Sequence, residues 1–103
     1  MPYQDKQKLY EAQKQHRIRN RHQLIEYLKD HHCIDCGESD IRVLDFDHVR
    51  GEKSFNIGTA ISGSHRSWKK ILEEISKCDV RCSNCHRKKT AVQFDWYKNS
   101  LPH

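Results

Sequence analysis

Apolar residues are thinly spread over the first part of the chain and concentrate in short patches after it. From residue 3 to about 30 there is no glycine or proline, and Gln, Lys, Glu, Leu and Arg dominate, which predicts helix. Leu24, Ile25, Tyr27 and Leu28 form the one dense apolar patch in that stretch. Its second half is therefore expected to pack on a core, and its first half to stand out as a polar arm. One long helix, two helices with a break near Asn20, or an arm that orders on binding all fit this pattern. Ile41 to His48 (IRVLDFDH) puts Ile41 and Val43 on one face and Leu44 and Phe46 on the other. The alternation breaks at Leu44, but the β-branched content predicts a strand. Residues 49–65 hold three glycines and three serines and read as a long loop of the functional or mobile kind. Ser67 is expected to start a helix running to about Cys78. It would place Trp68, Ile71, Leu72 and Ile75 on one stripe and leave Glu73 and Glu74 outside it. A short strand at Val80–Arg81 and a last helix from near His86 to about Tyr97 complete the reading. Phe94, Trp96 and Tyr97 are expected to cover the core or the N-terminal helix.

Composition narrows the class. The chain has 103 residues, of which 35% are hydrophobic and 32% charged. That suits one small domain of residues 31–103 with a basic N-terminal helix or arm over 1–30, and it is too little apolar material for a self-sufficient core. The five cysteines supply a staple, and their odd number argues against a purely disulfide framework. Neither an apolar leader nor a run approaching the ~20 apolar residues of a membrane span is visible. A cytoplasmic protein with reduced thiols is the expectation.

A net charge of +5 favours an anionic partner, with nucleic acid first, and its distribution says more. Residues 14–22 carry Lys14, Arg17, Arg19 and Arg21 with His16 and His22 and no acid, and from Arg81 onward five basic residues face only Asp95. Basic flanks around a slightly acidic middle suit phosphate binding beside a cation site. A solvated basic surface is the plainer alternative.

The firmest chemical signal is the pair of C-x2-C motifs, Cys33/Cys36 and Cys82/Cys85. Two intervening residues let both thiolates of a pair reach one tetrahedral ion, and two pairs make a closed, structural four-cysteine zinc site. Disulfides or redox pairs are the competing reading, but no thioredoxin-like βαβ pattern surrounds either motif. One ion would tie the start of the domain to its end, so its binding energy would be folding energy. Cys78 reads as a small buried hydrophobe. His31 and His32 read as surface residues, with a substitute ligand role as the alternative.

Asp45-Phe46-Asp47-His48 is the second constellation. On a strand, Asp45 and Asp47 share one face and Phe46 and His48 the other. An acid next to a histidine at a strand end can set a metal ligand beside a general base, although Asp-His dipeptides are common.

Taken together, C-I-D-C-G at 33–37, L-D-F-D-H at 44–48 and C-D-V-R-C-S-N-C-H-R-K-K-T at 78–90 resemble the HNH endonucleases, closest to the zinc-stapled phage and bacterial members. The resemblance spans residues 33–90. It implies an α+β fold, a small zinc-stabilised ββα-metal (HNH) domain. By resemblance, Asp47 and His86 would bind a catalytic Mg2+ or Mn2+, and His48 would deprotonate the attacking water. The substrate would be DNA, cut to 5′-phosphate and 3′-hydroxyl ends. Many relatives carry an asparagine ahead of the second knuckle, where this chain has Lys77 and Cys78. Asn84 lies inside the knuckle instead; it is a candidate catalytic-site residue that would brace the hairpin loop or hold the His48 backbone, with an ordinary turn residue as the alternative. Arg87, Lys88 and Lys89 would engage flanking phosphates, as would Lys14, Arg17, Arg19 and Arg21. Partners beyond DNA would be phage or host DNA-processing proteins, with the chain a monomer or a homodimer. The competing function is a non-catalytic zinc-binding module that binds nucleic acid.

Overall fold

The computed structural model describes residues 3–63 and 66–96, with side chains from residue 6 onward. Helix α1 (Tyr3–Lys29) is followed by strand β1 (Leu44–His48), helices α2 (Ile57–Ser62) and α3 (Trp68–Ile75), strand β2 (Cys78–Cys82) and helix α4 (Ser83–Gln93). It is a small α+β fold built on a two-stranded sheet. No helix among the described residues is long and apolar enough to cross a membrane.

α1 is a single helix of 27 residues, about 40 Å long. Asn20 does not break it. Its side chain is 3% exposed and donates to the Arg66 carbonyl at 3.0 Å, and a ring nitrogen of His16 meets the same carbonyl at 2.8 Å. Two polar side chains one turn apart thus tie the middle of the helix to the start of α3, which satisfies the buried amide. One turn later Leu24, Tyr27 and Leu28 reach the core.

The strand pattern is shorter than the sequence suggests. Ile41–Val43 forms a 3-10 turn, capped by the Asp40 carboxylate accepting from the Arg42 N–H at 3.0 Å. That turn explains the broken alternation at Leu44. β1 pairs antiparallel with β2, from Leu44 opposite Cys82 to His48 opposite Cys78. Directly opposed residues share a face. Leu44, Phe46, Cys78, Val80 and Cys82 therefore turn to the apolar side, where α1, α2 and α3 pack. Asp45, Asp47, Asp79 and Arg81 turn to the other side, which α4 covers.

The predicted long loop contains α2. Asn56 caps it by accepting from the Thr59 N–H at 3.1 Å. Ile57, Ala60 and Ile61, spaced i, i+3, i+4, bury the face that meets α3. α3 ends at Ile75, so Cys78 begins β2 and is not part of the helix; it is buried, in keeping with the small-hydrophobe reading. Ile71 and Ile75 are 0% and 1% exposed, each worth about 1.5–3 kcal/mol of burial. The predicted stripe is rotated: Leu72 is 41% exposed and Glu74 is 2% exposed. Glu74 stands three residues after Ile71 and lies on the buried side. α4 stops at Gln93, and Phe94 and Trp96 are 62% and 42% exposed, so neither covers the core. Tyr97 lies outside the described residues.

Candidate metal centre and histidine site

The four cysteines come from two structurally different places. Cys33 and Cys36 lie on the turn after α1. There the Gly37 N–H donates to the Cys33 carbonyl at 2.8 Å, and Gly37 takes a φ of 79°, a left-handed conformation that glycine adopts without Cβ cost. Cys82 ends β2 and caps α4, its sulfur accepting from the Cys85 N–H at 3.4 Å. The cap satisfies one of the N–H groups that the first turn of α4 leaves without an intrahelical partner. All four sulfurs lie within 4.8 Å of one another, and Cys36 and Cys82 Sγ are 3.7 Å apart. A tetrahedral ion with Zn–S bonds of ~2.3 Å needs sulfurs about 3.8 Å apart. The four cysteines can therefore hold a metal ion such as zinc. All five cysteines are free thiols. Burial pushes the Cys33 thiol up, but backbone N–H groups of Cys82, Cys36 and Asp35 outweigh it and bring it down to about 6. The neighbouring Cys82 and Cys36 sulfurs push Cys85 up to about 12. Four negative sulfurs cannot share this space without a cation. Cys78 stands outside the group, held at about 11 chiefly by burial.

On the α4 side of the sheet, Asp47, His86 and Lys89 meet. His86 Nε2 is 3.6 Å from Asp47 Oδ1, and His86 Nδ1 is 3.4 Å from Asp45 Oδ2. Asp47 Oδ2 accepts from Lys89 Nζ at 2.6 Å and from Arg81 at 2.7 Å. Arg81 also donates to Asp35 at 2.8 Å, so one guanidinium joins the first cysteine knuckle to Asp47. Burial would raise the Asp47 carboxyl, but Lys89, His86 and Arg81 hold it below its ordinary 3.8.

His48 lies on the opposite face of β1, as strand alternation dictates. Its Nε2 is 3.0 Å from Glu74 Oε2. It rejoins the α4-side residues at the strand end. There, Asp47, His48, Lys88 and Lys89 line one cleft of about 720 Å³, and His48, Asp45 and His86 line a second of about 390 Å³. Lys77 has the largest influence on Glu74. Burial opposes it, the Ser54 N–H and His48 add to it, and the carboxyl is held down at about 2.

Asn84 is exposed on the first turn of α4 and makes no side-chain hydrogen bond among the described residues. Arg87 and Lys88 are exposed on α4, whereas Lys89 is committed to Asp47. Lys14, Arg19 and Arg21 are exposed on α1 and Arg17 is half-buried. Sequence reasoning missed Glu74, Arg81 and Asp35 as members of this site. The signal for Glu74 was present in the i, i+3 spacing from Ile71.

Comparisons of the chain with protein-family models, with characterised proteins and with solved structures find no match.

Proposed function

We propose that the protein is a divalent-metal-dependent DNA endonuclease of the HNH type. The observation that carries this reading is the approach of His86 Nε2 to Asp47 Oδ1 at 3.6 Å, beside a histidine at the end of the same strand and a four-cysteine cluster. Two cis ligands of an octahedral ion with ~2.1 Å bonds are about 3.0 Å apart, and two trans ligands about 4.2 Å. The pair fits one ion with a shift of about half an ångström. The Asp47 carboxylate suits Mg2+ or Mn2+, and the pair offers no thiolate to select a soft metal. When bound, such an ion supplies charge neutralisation at the phosphate and stabilisation of the departing 3′ oxygen. His48 takes a proton from water, and the resulting hydroxide attacks phosphorus opposite the 3′ oxygen. The P–O3′ bond breaks with its electron pair on the 3′ oxygen, which takes a proton from solvent water, leaving 5′-phosphate and 3′-hydroxyl ends. Zinc at the cysteines takes no part in bond breaking.

Zinc-loaded protein is expected to convert supercoiled plasmid to nicked or linear DNA with Mg2+ or Mn2+, and to leave it intact without them. Inert protein that still binds DNA in both ions would refute the nuclease reading. One observation favours the non-catalytic alternative: Lys89 and Arg81 already neutralise Asp47 Oδ2, and an ion must share Asp47 with them.

The exposed cations supply the DNA affinity in either reading. Replacing Lys14, Arg17, Arg19 and Arg21 by Gln is expected to weaken duplex binding. The slope of log affinity against log salt should flatten by up to ~0.9 for each phosphate that the arm no longer neutralises. A slope equal to that of the unmodified protein would remove the arm from the interface.

A further inference from the structure

Glu74 is the one carboxylate of α3 turned inward. It is 2% exposed, on a stripe otherwise made by Ile71 and Ile75, and burying a carboxylate costs several kcal/mol unless it is fully bonded. Helix pairing does not account for it, because an i, i+3 contact with Lys77 could form at the surface. What the inward position adds is contact with the segment around His48. Glu74 Oε2 accepts from the Ser54 N–H at 2.9 Å and faces His48 Nε2 at 3.0 Å, and Oε1 accepts from Lys77 Nζ at 2.8 Å. Lys77 in turn donates to the Glu52 carbonyl at 2.7 Å and to Ser54 Oγ at 3.1 Å. The loop that leaves His48 is thus strapped to the same carboxylate that meets its ring.

We infer that Glu74 is a positioning residue for His48. Its ionised carboxylate accepts the Nε2–H, fixes the ring, and leaves Nδ1 as the atom that takes the proton from water. The contact decides the tautomer on elementary grounds. A carboxylate paired with Lys77 and a backbone N–H carries no proton, so the hydrogen in the His48 contact belongs to Nε2. A neutral imidazole with Nε2 protonated has its lone pair on Nδ1. Without Glu74 the ring is free to rotate and to populate the other tautomer, in which the base is lost. The catalytic half of this inference rests on the nuclease reading; the tautomer half does not.

Two measurements on the zinc-loaded full chain test it separately. Long-range 15N–1H correlation spectra should show His48 of the unmodified protein as the Nε2–H tautomer. An Nδ1–H tautomer in the folded protein overturns the inference whether or not DNA is cut. In cleavage, Glu74→Gln is expected to lower kcat about 10–100-fold with KM for DNA changed less than twofold, and Glu74→Asp is expected to recover part of the loss. In a His48→Ala background, Glu74→Gln should cost nothing further, because the group it acts through is gone. An equal additional loss in that background, or a Glu74→Gln protein that cuts at the unmodified rate, rules out positioning through His48. Inert unmodified protein with an Nε2–H tautomer would defeat the nuclease reading and the catalytic half while leaving the ring contact standing.

Discussion

Cys82→Ser is expected to lose the bound metal and the cooperative fold together. Cys82 does three things at once. It offers one of the four sulfurs clustered within 4.8 Å, it caps α4 by accepting the Cys85 N–H, and it is buried in the core beside Leu44 and Val80. The first matters most. Structural zinc contributes an apparent ~10–16 kcal/mol to folding, whereas small domains are stable by only about 5–15 kcal/mol in total. Losing one thiolate from the set therefore removes an amount comparable to the whole stability. The small cores cannot offset this. Metal analysis should find well under one ion per chain, and thermal melts should lose their sigmoidal transition. Cys78→Ala is the matched control: it also removes a buried thiol, but from outside the cluster, and should cost about 1 kcal/mol for a small cavity with the metal retained. One zinc per chain and an unchanged melting temperature in Cys82→Ser would contradict the four-cysteine assignment.

Asp47→Asn carries the second large effect. The carboxylate pairs with Lys89 and Arg81 and faces His86. Its removal takes away half of the proposed ion site and should lower metal-dependent cleavage by about 10²–10³-fold, the usual cost of losing one electrostatic stabiliser of a transition state. The fold should survive. Arg81 keeps Asp35 and Asp79 as partners, and the Lys89 side chain is 38% exposed. The loss should be about 1–2 kcal/mol, below the ~3–5 kcal/mol of a fully buried broken pair. DNA binding without divalent metal should become somewhat tighter, because a negative charge has gone from a basic surface. The non-catalytic alternative predicts that same tightening with no cleavage to lose, so cleavage and binding measured on one preparation separate the two readings.

The parts of this fold that could be read along the chain are those set by local spacing. The two C-x2-C motifs place thiolates in pairs whatever surrounds them. The alternation in Leu44–His48 sorts Asp45 and Asp47 from Phe46 and His48, as found. The helical composition of α1 needs no tertiary help to be recognised. What was not legible depends on partners distant in sequence. Whether the helix runs through Asn20 or breaks there stays open along the chain, because the Arg66 carbonyl that satisfies its amide is distant in sequence. α2 is hidden among glycines and serines because only Ile57, Ala60 and Ile61 carry its period, and six residues are too few to show one clearly. Glu74 reads as a surface charge because its type outweighs its position, although Ile71 and Ile75 mark the same stripe as buried. Phe94 and Trp96 look like core by type and are exposed. At the site, the separation of His48 from Asp47 follows from alternation, whereas Lys89 and Arg81 on Asp47 required the sheet register and the placement of α4.

The nuclease reading turns on His48 as the general base of a metal-dependent phosphodiester cleavage. The sharpest test is the nicking rate on supercoiled plasmid in Mg2+ or Mn2+, unmodified protein against His48→Ala, with zinc content and DNA affinity measured on the same samples. Metal-dependent cleavage by the unmodified protein is expected, with a loss of about 10²–10⁴-fold in His48→Ala, at equal zinc content and with DNA affinity changed less than twofold. A His48→Ala protein that is folded, zinc-loaded and cuts at the unmodified rate would show that His48 is not the base.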